Sequence, residues 1–582
     1  MKDRNPPLNF FAFTLIMTAL AILSGALQAD EVQRGLKSSI PVTPQFDDPR
    51  FQEDQSDPLD QRRVLPDPPS RPPSDSIRAE PSFFVNQIRL VGGSVFAATE
   101  LSPIVSAYEE RLITMEELQS LRQKLSLMYF ERGYVNSGVI IPDQTIRDGI
   151  VEFRIIEGSV TSVRLAGNED LNANYVLDRI NLGVDEPLNV NDLQRALRRV
   201  KNDRLIRKID AQLKPLAEPG TAELDVSVAE AESRQASIVI DNYRPPSVGA
   251  EGLTVAYSDF NLTGMGDALG LRFSGSEGSL NAGLDYEYPL TASGSTLRGF
   301  FNYSDSEVVE EPFSQLDIES ESQDYGLIYS TPVYEHNNTR VDVNLGLNHK
   351  DSSSFLLGEP FSFSSGAIEG ESKSTDVSLG SNFVHRAASQ VYAFSLTWRH
   401  GLDLLGSNIA DNSNTPDSEF SAIVGQGQYA SRLGFIPGGQ FVARTAFQLA
   451  FDPLLSINKF AIGGHSSVRG YRENQLVRDN AVTASLELRF PVFVDDKGND
   501  TANFQVIPFV DWGQAWDKEA TNQTDEKLDI ASVGLGFAWQ PVKGVNLNVF
   551  WGEALEDDVK NENGDDLQDD GLHFSLGYGL TF

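Results

Sequence analysis

The chain has 582 residues, with 83 Asp+Glu against 47 Lys+Arg and no cysteine. Without thiols there are no disulfides, thiolate metal sites or cysteine nucleophiles, and a formal charge of −36 opposes nucleic acid, which needs a basic surface. A soluble chain of this length would divide into several domains.

Residues 1–29 read as an export signal. Lys2 and Arg4 precede the apolar run Phe10 to Leu23, and the small residues that follow offer cleavage after Ala26 or Ala29. The run is shorter than the ~20 apolar residues of a spanning helix, which weighs against an uncleaved anchor. No other stretch is apolar enough for a membrane helix, so a membrane location would have to use strands. Residues 30–81 carry ten prolines from Pro41 onward and few apolar side chains. Proline removes amide donors and there is little to bury, so this segment reads as a flexible, partly extended linker.

Residues 82–157 and 158–233 read as two small α/β units. The first opens with a strand, Phe83 to Val91, followed by a helix whose start is the capping box Thr114-Met115-Glu116-Glu117. Leu118, Leu121, Leu125 and Met128 fall on one helical face, Gly133 supplies the stop, and strands 137–141 and 150–156 follow. The second unit repeats the order: a strand over 160–165, helices over 171–180 and 190–201, and strands over 206–213 and 222–228.

From 234 to 582 the pattern changes to period two. Leu572, Phe574, Leu576, Tyr578, Leu580 and Phe582 share one face, with His573, Ser575, Gly577, Gly579 and Thr581 on the other. The same alternation sets Leu486, Leu488 and Phe490 against Ser485, Glu487 and Arg489. About sixteen such strands predict a barrel with lipid outside and a wet lumen inside. Connections alternate between long polar ones, such as 305–322, 351–372 and 452–478, and short ones, such as 291–293 and 387–388. Long outer loops and short periplasmic turns are the rule in outer-membrane barrels, which puts the α/β units in the periplasm.

Three local patterns carry a resemblance to a known family. They are Gly133-Tyr134-Val135-Asn136-Ser137 with Pro142 and Gln144 in the first α/β unit, Val468-Arg469-Gly470-Tyr471 in the sixth long loop, and Phe509-Val510-Asp511-Trp512-Gly513 in the thirteenth strand. With them the chain resembles the two-partner secretion outer-membrane transporters (TpsB class), the hemolysin secretion/activation proteins with POTRA (polypeptide-transport-associated) domains. The resemblance implies a mainly β fold: a 16-stranded antiparallel transmembrane β-barrel behind two α/β POTRA domains. It implies that Arg469 and Asp511 hold the sixth loop inside the barrel, as the chemistry allows: a guanidinium always charged seeks a carboxylate that can accept two parallel hydrogen bonds. Gly470 would let the tip turn, and Gly513 would leave room beside the wall.

The expected function is translocation of an unfolded exoprotein, hemolysin- or adhesin-like, from POTRA domains in the periplasm through the barrel to the cell surface, without ATP. The alternatives are an outer-membrane assembly factor of the same superfamily and a passive porin. Expected partners are the exoprotein, outer-membrane lipid and lipopolysaccharide, and the barrel assembly machinery, which the terminal Phe582 would address. Some relatives plug the barrel with an N-terminal helix, which leaves 30–81 as linker or plug. No enzyme activity, cofactor or metal site is expected: no phosphate-cradling glycine loop is present, Gly463-Gly464-His465-Ser466-Ser467 lacks a nucleophile elbow, and the six histidines are scattered, as for lumen or loop residues.

Overall fold

The computed structural model describes residues 82–336, 338–410, 415–492, 503–518, 527–556 and 565–582. The export signal and the proline-rich linker read from the sequence lie outside these residues. The chain forms two compact units, one running up to Glu232 and including Thr263–Gly266, the other formed by Ser233–Leu262 and Asp267–Phe582.

In the first α/β unit the sheet order is Gln87–Val91, Ile150–Ile156, Gly138–Ile140, the first pair parallel and the second antiparallel. Helix Met115–Glu131 starts at a reciprocal cap: Thr114 Oγ1 accepts from the Glu117 amide at 3.2 Å, and Glu117 Oε2 accepts from the Thr114 amide at 2.8 Å. Leu118, Leu121, Leu125 and Tyr129 are buried against the sheet, while Met128 is only half-buried. Two details differ from the sequence reading. The expected strand Phe83 to Val91 breaks at Asn86, because Phe83–Val85 pairs with Arg111–Ile113 instead. A helix forms at Ala98–Val105 in spite of Pro103, since burial of Leu101 and Val105 outweighs the missing amide.

The second α/β unit orders its strands Ser159–Ala166, Thr221–Glu230, Ile206–Pro215, again one parallel and one antiparallel pair. Helices Ala173–Asn181 and Val190–Lys201 cover it through Val176, Ile180, Leu193, Leu197 and Val200.

The barrel strands are, in order, Arg234–Asp241, Gly252–Asp259, Ala268–Ser276, Ser279–Pro289, Thr296–Glu307, Ile318–His336, Thr339–Leu356, Glu371–Ala387, Gln390–Leu402, Ser421–Arg432, Gln440–Ala450, Asn480–Pro491, Asn503–Trp516, Leu528–Gln540, Val545–Ala554 and Leu572–Thr581. They close into one antiparallel barrel when the sixteenth strand pairs with the first, Ser575 opposite Asp241 through Thr581 opposite Gln235. Phe582 and Arg234 exchange backbone hydrogen bonds of 2.9 and 3.1 Å at the seam, and closure leaves no edge unpaired. Among the described residues no helix is long and apolar enough to cross a membrane.

Outward positions are apolar and exposed, as with Leu486, Val510, Trp512, Leu576 and Leu580, whereas Ser485, Glu487 and Asp511 face inward and are buried. The sixth and seventh strands run well past the ~10 residues a tilted strand needs to cross lipid. Their outer ends are rich in Ser and Glu, so apolar alternation stops there and the sequence reads as loop, while the backbone ladder continues. Three histidines expected in lumen or loop positions, His349, His385 and His400, instead sit on the outward register beside Tyr325, Tyr392 and Trp398.

Candidate functional site

Between the eleventh and twelfth strands the sixth outer loop, 451–479, doubles back as a hairpin, with Phe460–Ile462 paired to Leu476–Arg478. Its tip reaches the inner face of the twelfth and thirteenth strands. There Arg469 donates from Nε and Nη2 to the two oxygens of Asp511, each at 2.8 Å, and its backbone amide adds a third bond at 3.1 Å. Nη1 donates to Glu487 Oε1 at 2.8 Å, and Nη2 also reaches Ser485 Oγ at 3.1 Å. The guanidinium lies 3.6 Å from the Phe509 ring centre, with Phe550 edge-on beyond. Arg469 is 4% exposed and Asp511 0%, so the pair is shielded from bulk solvent.

A buried pair holds only if the remaining lone pairs and protons are satisfied. Here Glu487 meets that need: Arg444 donates to it at 2.7 Å and Arg489 at 2.9 Å, in addition to Arg469. Register makes the cage, since Ser485 lies opposite Asp511, and Glu487 opposite Phe509.

The other motif residues seat the tip. Gly470 has φ +95°, and a Cβ there would stand 2.8 Å from the Gly552 carbonyl oxygen. Val468 and Tyr471 are buried, and the Tyr471 hydroxyl donates to Ala531 O and accepts from the Glu556 amide, both at 3.1 Å. A Cβ on Gly513 would meet Val468 Cγ2 at 3.0 Å, so the glycine does leave room for the loop. Farther along, Arg472 is held by Asp569 and Glu310, and Glu473 takes His465 Nδ1 at 2.6 Å. Ser467 Oγ is used within the turn, accepting from Gly463 N and donating to Gly463 O.

Glu487, Ser485, Arg444, Phe550 and Gly552 were not singled out as site residues by sequence reasoning. Their alternation shows only that Glu487 and Ser485 face the lumen; nothing local tells which lumen residues meet the tip of the returning loop.

The first-unit motif works at the joint of the two α/β units. Gly133, at φ +90°, ends the helix, and its carbonyl accepts from Val190 N at 2.9 Å. Ser137 Oγ accepts from Gly158 N at 2.8 Å, and Tyr134 packs edge-on against Tyr129. Gln144, just after Pro142, extends the sheet: its side chain accepts from Glu152 N at 2.7 Å and donates to Glu152 O at 2.8 Å.

Glu157 ties the end of the first unit to its start through the amides of Ser94 and Val95, at 2.6 and 2.9 Å. Burial alone would raise its pKa, but these amides, the Ser94 hydroxyl and Tyr129 outweigh it and hold the carboxyl below its ordinary value. A depressed carboxylate stabilises above its unfolded pKa and loses that contribution as pH falls through the folded one. Amide exchange in the whole protein should therefore show Ser94 and Val95 losing protection, relative to intrinsic rates, as pH falls below the ordinary glutamate range. In Glu157→Gln that pH dependence should vanish; equal dependence in both proteins would refute the assignment.

A barrel closed on itself, apolar outside and holding its own clamped loop inside, is the architecture of an outer-membrane β-barrel. Residues 220–539 match the family model described as haemolysin secretion/activation protein ShlB/FhaC/HecB, and residues 83–158 match the ShlB-type POTRA domain. The outer membrane transporter CdiB of Dickeya dadantii (strain 3937) is 21% identical over 80% of this chain and 82% of its own length. The heme/hemopexin transporter protein HuxB of Haemophilus influenzae (strain 86-028NP) is 22% identical over 86% and 91%. The solved structure of CdiB from Escherichia coli superposes with a TM-score of 0.65 at 17% identity, covering 96% of this chain and 98% of that one. The chain belongs to the haemolysin secretion/activation protein family, the outer-membrane transporters of two-partner secretion. It resides in the outer membrane with its POTRA region in the periplasm.

Proposed function

We propose that this transporter recognises one secreted exoprotein, unfolded in the periplasm, and passes it through the barrel to the cell surface without nucleotide. Residues 1–29 direct export, 30–81 serve as a linker or plug, 82–157 and 158–233 act as two POTRA domains, and 234–582 form the translocating barrel. The client adds to an exposed strand edge of a POTRA sheet, which gains main-chain hydrogen bonds with little demand on sequence. Loop 451–479 then leaves its seat to clear the lumen, and folding outside draws the client forward. Phe582 addresses the assembly machinery that inserts the barrel among lipid and lipopolysaccharide.

The observation that carries this reading is the buried cage around Arg469. A loop clamped to the inner wall by a buried ionic cage favours a gated conduit for a polypeptide over a passive pore. The test is deletion of the gene, with surface and periplasmic exoprotein measured together. Retention of the client in the periplasm is the expected result. Normal secretion alongside failed insertion of other barrels would replace this reading by the assembly-factor one.

A further inference from the structure

The sixth loop has a second attachment, remote in sequence from its tip. The residue at its centre is Asn458, in the 3-10 turn Ser456–Asn458 before the hairpin, which is 0% exposed. Its Oδ1 accepts from Arg399 Nη2 at 3.0 Å, its Nδ2 donates to Ser374 Oγ at 2.8 Å, and its carbonyl accepts from Gln448 Nε2 at 2.9 Å. Arg399 is oriented by a buried ion pair to Asp376 across the eighth and ninth strands, and Lys350 donates to the Ile457 carbonyl at 3.1 Å. These strands lie on a different part of the wall from the twelfth and thirteenth, where Arg469 binds.

The two attachments differ in kind. The tip is seated by the ionic cage of Arg469, by the Tyr471 hydroxyl, and by Arg472 on Glu310 and Asp569, which lie outside the barrel strands. The proximal turn is held by both backbone and side chain, on three strands and from the strand the loop leaves. We infer that Asn458 and its Arg399–Asp376 support are the fixed pivot of the sixth loop: the tip is released during transport while residues 454–459 stay on the wall. Asn458 is a positioning residue, and Arg399 acts through it. This inference rests on the transport reading above.

The absence of cysteine from the chain makes a clean test available. Ser456 Oγ lies 3.2 Å from Ser364 Oγ of the fourth outer loop, so Ser364→Cys with Ser456→Cys tethers the turn without touching Asn458. Exoprotein at the surface is measured with the tether oxidised and reduced, beside wild type and a gene deletion, and barrel insertion is checked by heat-modifiable gel mobility. A fixed pivot predicts that the oxidised tether secretes like wild type. Asn458→Ala, which leaves the Arg399–Asp376 pair intact, should lower secretion about tenfold. Adding the oxidised tether to Asn458→Ala should restore secretion, and reduction should remove the gain.

Arrest by the oxidised tether in the otherwise wild-type chain would overturn the pivot, because the turn would then have to move. Unchanged secretion by Asn458→Ala, or failure of the tether to rescue it, would overturn it as well. If the deletion itself leaves secretion unaltered, the transport reading fails. In that case ion conductance of the purified barrel in a planar bilayer still reads the pivot: Asn458→Ala should raise the frequency of opening, oxidation of the tether should reverse it, and equal traces would refute it.

Discussion

Arg469→Ala is expected to yield a barrel that inserts normally and secretes at a few per cent of wild type or less. The substitution removes the cation from a carboxylate that is 0% exposed, and among the described residues Asp511 has no other arginine on it, whereas Glu487 keeps Arg444 and Arg489. Breaking a buried pair from one side costs about 3–5 kcal/mol, which shifts the balance between seated and unseated loop by on the order of a hundredfold or more. The strands keep their ladder, so heat-modifiable mobility should not change. Arg469→Lys should recover little, since an ammonium cannot serve Asp511 twice and also reach Glu487 and Ser485. Asp511→Ala added to Arg469→Ala should cost far less than either alone, because the two act as a unit. Wild-type secretion by Arg469→Ala would separate the cage from transport altogether.

The second large effect is expected at a position with no charge. A Cβ on Gly552 would meet Gly470 N at 2.8 Å and Arg469 C and O at 2.9 Å, all backbone atoms that cannot rotate aside. Gly552 is not among the glycines with positive φ, so its own strand would accept a side chain. Gly552→Val should therefore fold as a barrel yet push the tip off its seat, at a cost of about 1–3 kcal/mol for overpacking and with the ionic cage misaligned besides. Secretion should fall at least tenfold, following Arg469→Ala with every charge in place. Gly579→Ala on the sixteenth strand is the control: its Cβ would have nothing within 4 Å, and it should behave as wild type. Equal secretion by the two glycine variants would mean that seating of the tip is irrelevant to transport.

Much of this architecture is legible in the sequence because it is set by short-range rules. Period two along a strand sorts lipid from lumen whatever the strand's neighbours do, so Leu486, Leu488 and Leu576 are assigned outward from the pattern alone. The capping box at Thr114 and the stop at Gly133 are equally local. Arg469 and Asp511 could be paired in advance only through a family resemblance, supported by the chemistry of a guanidinium and a carboxylate. Where apolar alternation stops, at the outer ends of the sixth and seventh strands, the same reasoning stops too, because a ladder outside lipid needs no apolar face.

What only the tertiary structure decides is which lumen residues meet the returning loop. Closure of the barrel and the register between the twelfth and thirteenth strands set Ser485 opposite Asp511 and bring Glu487 under the same guanidinium. The fold of the loop brings Gly470 against Gly552 and Asn458 against Arg399, partners separated by dozens of residues. Each of these residues has an ordinary sequence environment for a lumen or strand position. Their roles come from a loop-closure geometry that is satisfied only once sixteen strands are paired, and no local propensity encodes it.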